Sequence, residues 1–480
     1  MAVGIRAPGR DRLWFRVGAV AVVGLAVALR LRGLSHWSFW LDEAMQVDFV
    51  RRGFGQMWGA LVLDGVHPPL DYVACWFWYR VSPDEGWLRL LPVLWSAGTV
   101  VALLVRSGGG SAPSRSLAAA GAFATFPLAV VLGQEFRPYA AALFFAAAFD
   151  AARSRHAARP SKAAGRAAIV FGVLAGWTLY WAGLFVLFSW ALDLARTAKE
   201  RDRAGAGRTL RAVGVTLLLW APWPIVVLRS ASPGHASSAP VPSTDLVLRF
   251  LAGLVADRQE DVKQPMVAVA LGAAVLAGLF LGPRGERTRT ALELATFSAG
   301  SLVALQAAGH WWALRYLSLA LLPASRAVGF AVEKVARGGA RAPWAGLAAA
   351  GALVLLQRNA LADAARWARP DWRRPADYVG FVAGSGRGGP VAAADPWAYF
   401  ALRAQLGRRT PPIEVGLEPS AAALGAWMQA SGDGWVVRAP RFGAPADLDA
   451  LLEGAAPWAR FADADDCRVY RVEAGRVVTP

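Results

Sequence analysis

Cysteine is almost missing from these 480 residues: Cys75 and Cys467 are the only two. They exclude a disulfide framework, and standing so far apart they say little about redox compartment. Acid is also in short supply, with 34 Asp and Glu against 51 Lys and Arg and a net charge of +17. In a soluble chain that balance would suggest nucleic acid, but no basic amphipathic face gathers these residues. They fall in short loops between apolar runs, where the positive-inside rule of membrane proteins accounts for them. No small-residue cleavage pattern follows the first apolar run, only Arg30, Arg32 and an aromatic cluster, so that run is expected to remain as a membrane helix. No internal repeat of fixed period is visible.

Apolar residues make up 56% of the chain and mean hydropathy is +0.36, well above a soluble domain. Apolar runs of helical length recur at residues 17–32, 87–105, 117–132, 139–152, 167–180, 182–194, 213–228, 266–281, 291–308, 316–332 and 344–356. They predict a mainly α-helical polytopic membrane protein with about eleven transmembrane helices. Arg6, Arg10, Arg12 and Arg16 precede the first run, which puts the N-terminus in the cytoplasm, and parity through the basic loops leaves the tail outside. Pro222 and Pro224 are expected to kink the seventh run. Residues 69–81 are aromatic-rich, short and charged, which suits a helix lying in the membrane interface. Residues 230–265 read as a Pro/Ser/Gly-rich outer segment with room for one short helix at 246–255.

From residue 358 the composition is that of a soluble domain. Strand-like runs at 390–394, 434–438 and 468–472 alternate with helical ones at 396–406, 421–430 and 445–452, predicting a small extracytoplasmic α/β domain. The expected organisation is a transmembrane domain at 1–357, with a catalytic first outer loop at 35–86, followed by the extracytoplasmic domain at 358–480. Asp463, Asp465 and Asp466 near the end are expected to be solvated acids rather than a metal site.

The stretch 38–69, SFWLDEAMQVDFVRRGFGQMWGALVLDGVHPP, holds the residues best suited to chemistry. Asp42 and Glu43 stand behind Trp37, Phe39 and Trp40 at the edge of a hydrocarbon layer, where desolvation favours the protonated acid and suits a carboxylate to taking up a proton. His67-Pro68-Pro69 closes the stretch, and its prolines stiffen the chain and disfavour helix up to that point. An active-site loop is the functional reading; acids merely solvated between two helices are the alternative. Arg137 beside Tyr139, with Glu135 close by, and Arg315 beside Tyr316 fall at other outer helix ends, where a snorkelling arginine is the alternative to a phosphate ligand. His310 precedes Trp311 and Trp312 on the same face, and of the five histidines only His156 falls in a cytoplasmic loop.

Taken in order, SFWLDEA, HPPLDY, QEFRPYAA and LRYLSLALLP resemble the motifs of the family 39 glycosyltransferases. These are bacterial relatives of the dolichyl-phosphate-mannose protein mannosyltransferases and of the lipid A aminoarabinose transferase. The resemblance covers roughly the first two thirds of the chain. It implies a C-type glycosyltransferase fold, a polyprenyl-phosphate sugar as donor, and transfer on the outer face with inversion at the anomeric carbon. Where relatives often carry Tyr-x-His, this chain has Tyr180-Trp181-Ala182, so a substrate assignment leaning on that histidine does not carry over.

For that chemistry Asp42 is the expected general base, while Glu43 orients it, helps to bind a metal, or exchanges roles with it. Arg137 and Arg315 are expected on the donor phosphate, where a guanidinium offers fixed charge and a fork of donors. His67, Pro68, Glu135, Tyr139, His310 and Tyr316 are the expected substrate contacts. A divalent metal ion is an open option, with Asp42, Glu43 and His67 as its ligands. The expected partners are the donor lipid, a glycan, lipid or protein acceptor and the bilayer, with no nucleic acid. A transporter or flippase of polyprenyl-linked lipids, which makes no bond, is the alternative. It would need ionisable groups near the middle of spans and paired broken helices, whereas Asp193 and Glu293 lie near cytoplasmic ends and the other polar groups collect outside.

Overall fold

The structure, a computed structural model, describes residues 8–106, 112–230, 253, 265–307, 314–336, 342–365, 370–384, 389–407, 413–439, 446–452 and 455–480. Helices dominate, with a small mixed sheet near the C-terminus. The expected short helix at 246–255 lies almost wholly outside the described residues.

The stretch 38–69 differs from the expected loop, because it contains two helices, Leu41–Val50 and Phe54–Asp64. Trp40 is extended and its backbone N–H donates to Glu43 Oε2 at 3.4 Å, so the acid pair opens a helix instead of interrupting one. The second helix closes at Gly65, whose N–H reaches Leu61 O at 2.9 Å and whose φ of 61° favours glycine. His67, Pro68 and Pro69 then lead into the helix Leu70–Val81, where an interfacial helix was expected.

The chain forms two compact units. The first comprises Met1–Arg32, Trp58–Cys75 and Arg89–Arg366. Its innermost helix, Pro113–Thr125, packs against Pro8–Leu31, Leu321–Ala336 and Ala342–Leu356. Small residues make this close approach feasible: a Cβ on Gly121 would stand 2.6 Å from Ala350 Cβ. By length and composition two described helices are able to cross a membrane, Arg12–Leu31 and Glu85–Arg106. The pair Arg203–Trp220 and Pro222–Arg229, bent by 41°, would make a third. The bend falls at the expected proline kink. Met266–Leu281 and Trp344–Leu356 are shorter apolar helices.

Several expected runs are broken rather than continuous. Pro127 divides the third into Pro113–Thr125 and Pro127–Leu132, since proline cannot donate to the carbonyl four residues back. Arg30, fully buried, serves the break: Nη1 donates to Ala124 O at 3.0 Å and Nη2 to Ala129 O at 3.1 Å, while Nε donates to Ser96 Oγ at 2.6 Å. The ninth run passes through a π turn at Thr296–Gly300, and the tenth opens as a 3₁₀ helix, Leu314–Ala320, before the α-helix Leu321–Ala336.

A second polar feature of this unit is an ion-pair network. Arg153 joins Asp150 (2.6 Å) and Asp193 (3.0 Å), Arg289 joins Asp193 and Glu293 (both 2.7 Å), and Arg326 joins Asp150 (3.0 Å) and Glu293. Arg106 pairs with Asp150, and Arg115 bridges Glu286 and Glu333 (2.9 and 2.8 Å). Each named guanidinium thus has a carboxylate within ion-pair distance, as charge buried among helices requires.

The second unit comprises Gly33–Met57, Trp76–Leu88 and Trp367–Pro480. Its sheet consists of β1 (Val391–Ala393), β2 (Val415–Leu417), β3 (Gly434–Arg438), β4 (Ala459–Phe461), β5 (Cys467–Glu473) and β6 (Arg476–Val478). The order is β2-β1-β3-β5-β4, with β6 also on β5; β1 is parallel to β2 and β3, and the remaining pairings are antiparallel. One face buries Trp372, Val379, Leu402, Trp435 and Val469, the other Leu424, Met428, Val436 and Tyr470. The helix Pro396–Leu406 starts at Asp395, whose carboxylate accepts from Ala398 N at 2.8 Å and from Ala439 N at 2.8 Å.

Candidate functional site

The cationic candidates lie in the first unit. Arg137 follows the turn after Pro127–Leu132 and immediately precedes Pro138, which caps the helix Tyr139–Ala158. Its Nη2 lies 2.8 Å from His67 Nε2. A guanidinium only donates, so Nε2 must accept, and the neutral imidazole carries its proton on Nδ1. His67 is 8% exposed, and Nδ1 has no protein hydrogen-bond partner. Burial, then the charges of Arg137 and of Arg315, hold the ring well below its ordinary pKa of 6.5. Arg315, whose guanidinium lies 5.7 Å from the Tyr316 ring centroid, bears on the same imidazole through its charge, less strongly than Arg137.

Neighbouring side chains fix this arrangement. Tyr72, one turn into the helix Leu70–Val81, is buried and hydrogen-bonded to Arg137; burial pushes its phenol up, against the pull of that charge. Tyr180 OH donates to Gly65 O at 3.0 Å and accepts from Trp223 Nε1 at 3.1 Å, tying down the turn that leads to His67. Pro68 is buried beside His67, and Tyr139 and Glu135 are buried at 2% and 3% exposure. His310 lies outside the described residues. Sequence reasoning missed Tyr72 and the use of Tyr180, although a tyrosine inside HPPLDY and another in the departing LYWA segment were both in view.

The acidic candidates lie in the second unit. Asp42 is half-buried on the first turn of Leu41–Val50, and Glu43, fully buried, turns back to its own helix start. A carboxylate at this end of a helix is favoured by the backbone dipole. One turn further on, Asp48 is completely buried and paired with Arg51 (3.0 Å), Arg52 (2.5 Å) and Arg403 (3.5 Å). Sequence reading passed over Asp48, although an acid between Val47 and Phe49 needs a buried cation. Among the described residues there is no group of three or more His, Cys, Asp or Glu side chains able to hold a metal ion.

The acids near the C-terminus are not simply solvated. Asp465 is 3% exposed and accepts from Trp397 Nε1 at 2.6 Å; Asp463 pairs with Arg374 at 2.7 Å. Asp466 pairs with Arg460 and, at 2.7 Å, with Arg468; burial is the largest single influence and raises its pKa, but the hydrogen bonds and charges of the two arginines together outweigh it and lower the carboxyl. They close the β4–β5 turn, where Asp465 and Asp466 take positive φ.

No family model and no curated protein matches the chain. Among solved structures it is similar to ArnT from Cupriavidus metallidurans bound to undecaprenyl phosphate, with 15% identity, 95% of this chain and 98% of that chain covered, and a TM-score of 0.49. The likeness to the same protein in the apo state has 14% identity, the same coverages and a TM-score of 0.47.

Proposed function

We propose that the protein is a membrane glycosyltransferase that moves a sugar from a polyprenyl-phosphate donor to an acceptor on the extracytoplasmic face, with inversion. The observation that carries this reading is the contact of Arg137 with the buried neutral His67, an imidazole that also feels the charge of Arg315 from a remote part of the sequence. Two guanidiniums and an imidazole N–H form the donor set that a phosphate leaving group needs as its charge develops. In the reaction the acceptor oxygen attacks the anomeric carbon, its proton passes to Asp42, and the bond from that carbon to the phosphate oxygen breaks with the electron pair leaving on the lipid phosphate. Glu43, occupied at the helix start, orients its neighbour.

The reading includes about eleven spans in a C-type fold, the N-terminus inside and the tail outside. Pro68, Glu135, Tyr139 and Tyr316 support the substrate contacts. The buried charges of Asp150, Asp193, Glu293 and their arginines are mutually paired, which supports an enzyme over a transporter whose ionisable groups must face a passage. The test is to delete the protein from its host, extract lipids, and supply the purified protein with any polyprenyl-phosphate sugar that accumulates together with cell envelope from the deletion strain as the source of acceptor. Accumulation followed by consumption with release of lipid phosphate is expected. Movement of the intact lipid across a vesicle membrane, without bond cleavage, would replace the proposal with the flippase.

A further inference from the structure

The C-terminal α/β domain holds none of the candidate site residues, yet the acid-bearing helix Leu41–Val50 packs against its helix Pro396–Leu406. The chain around the acids is fastened to that domain at three places. Ahead of the helix, Ser38 Oγ donates to Pro370 O and accepts from Trp372 N, both at 2.9 Å, while Arg373 donates to His36 O at 3.1 Å and Ser35 O at 3.0 Å. Within it, Asp48 meets Arg403. Beyond it, buried Glu85 accepts from Arg373 Nε at 3.0 Å and from Gln405 Nε2 at 2.6 Å.

We propose that the α/β domain is the scaffold that sets the position of the acid helix, with Arg403 a positioning residue acting on Asp42 and Glu43 through Asp48. The proposal rests on the reading of Asp42 as the base. A helix of ten residues does not hold its shape unaided, so its placement comes from what it packs against. Of the three guanidiniums on Asp48, those of Arg51 and Arg52 belong to the end of the same helix and travel with it; Arg403 belongs to the domain. Gly407 completes the fit, since a Cβ there would stand 2.6 Å from Arg51 Nη1. Displacing a general base by about 1 Å is enough to cost orders of magnitude in rate.

The experiment uses the full chain in detergent, with Arg403→Met, Arg403→Lys and, as a control elsewhere on the same domain, Arg460→Ala. Two readouts are taken: amide hydrogen exchange of the peptide covering 41–50, and kcat and donor KM for transfer. We expect Arg403→Met to raise exchange and lower kcat, each about ten-fold, with donor KM within about two-fold. Arg403→Lys should recover part of both, and Arg460→Ala should change neither. Unchanged exchange in Arg403→Met, or raised exchange with unchanged kcat, overturns the proposal. Where Arg403→Met does not fold, Asp48→Asn is read by the same measurements. Exchange needs no turnover, so full transfer by Asp42→Asn would remove the base assignment while exchange still decides whether the domain holds the helix.

Discussion

The carboxylates and the cations of the candidate chemistry belong to different units and are held by different means. Asp42 and Glu43 ride on a short helix fastened to an α/β domain through side-chain and backbone ties. Arg137 stands where two helices of the densely packed first unit meet, and His67 is set by a glycine-ended turn that Tyr180 fastens. The difference teaches that two sets of candidate residues in one chain can draw rigidity from two different sources. The acid half is tied to the α/β domain by ion pairs and hydrogen bonds as well as by packing, whereas the supports of the cation half are helix packing and the Tyr180 tie.

The largest expected effect is on the acid half. Asp42→Asn keeps the shape and removes the basicity, so transfer should fall about 10²–10⁴-fold while the proposed polyprenyl-phosphate donor still binds. Near-normal turnover in membranes with equal folded protein would remove Asp42 from the mechanism. Glu43→Gln should be milder and insensitive to added divalent ion, because Glu43 is occupied at its helix start. In the cation half, Arg315→Ala should lower kcat/KM about 10²–10³-fold, with Arg315→Lys recovering part because an ammonium lacks the fork. Full activity of the Lys variant would return Arg315 to a snorkelling residue.

Two smaller effects probe how each half is supported. Asp395→Ala removes the cap of the helix that carries Arg403 and the bond to Ala439 N, and should destabilise the α/β domain by about 1–3 kcal/mol, read from denaturant melts of the full chain. An unshifted midpoint would show that the cap contributes nothing. His67 has a folded pKa below its ordinary 6.5, so the unfolded chain binds the extra proton first as pH falls. Its contribution to stability is complete above about 6.5 and is lost as pH falls through the folded value. His67→Gln should therefore flatten the acid side of a plot of melting temperature against pH, and identical slopes in the two proteins would contradict the neutral assignment.

Much of this was legible in the sequence. Long apolar runs, 396–406 and 434–438 declared themselves by period, and the described helices and strands lie on them. β2, β4 and β6, of three residues each, are too short for any period to register, and they exist because β1 and β5 offer them an edge. The stretch 38–69 looked irregular because prolines and polar residues dominate its end, whereas Glu43 and Gly65 bound two helices inside it. Among site residues, Arg137, Arg315 and His67 were visible from residue type and place. Their association was not, since no local spacing relates residues so far apart. Arg403 gave no signal at all, because its partner Asp48 lies in the first tenth of the chain.

Arg30 has a consequence for the order in which the chain is made. Its guanidinium is fully buried, and of its partners only Ala26 O belongs to the first helix; Ser96 and the carbonyls around the proline break at 123–129 do not yet exist when that helix leaves the ribosome. A lone arginine in hydrocarbon is costly, so the N-terminal helix should linger at the insertion machinery, or near the headgroups, until the third apolar segment has been synthesised. The first and third segments would then enter the bilayer as a pair, with the carbonyls on either side of the break at Pro127 receiving the guanidinium.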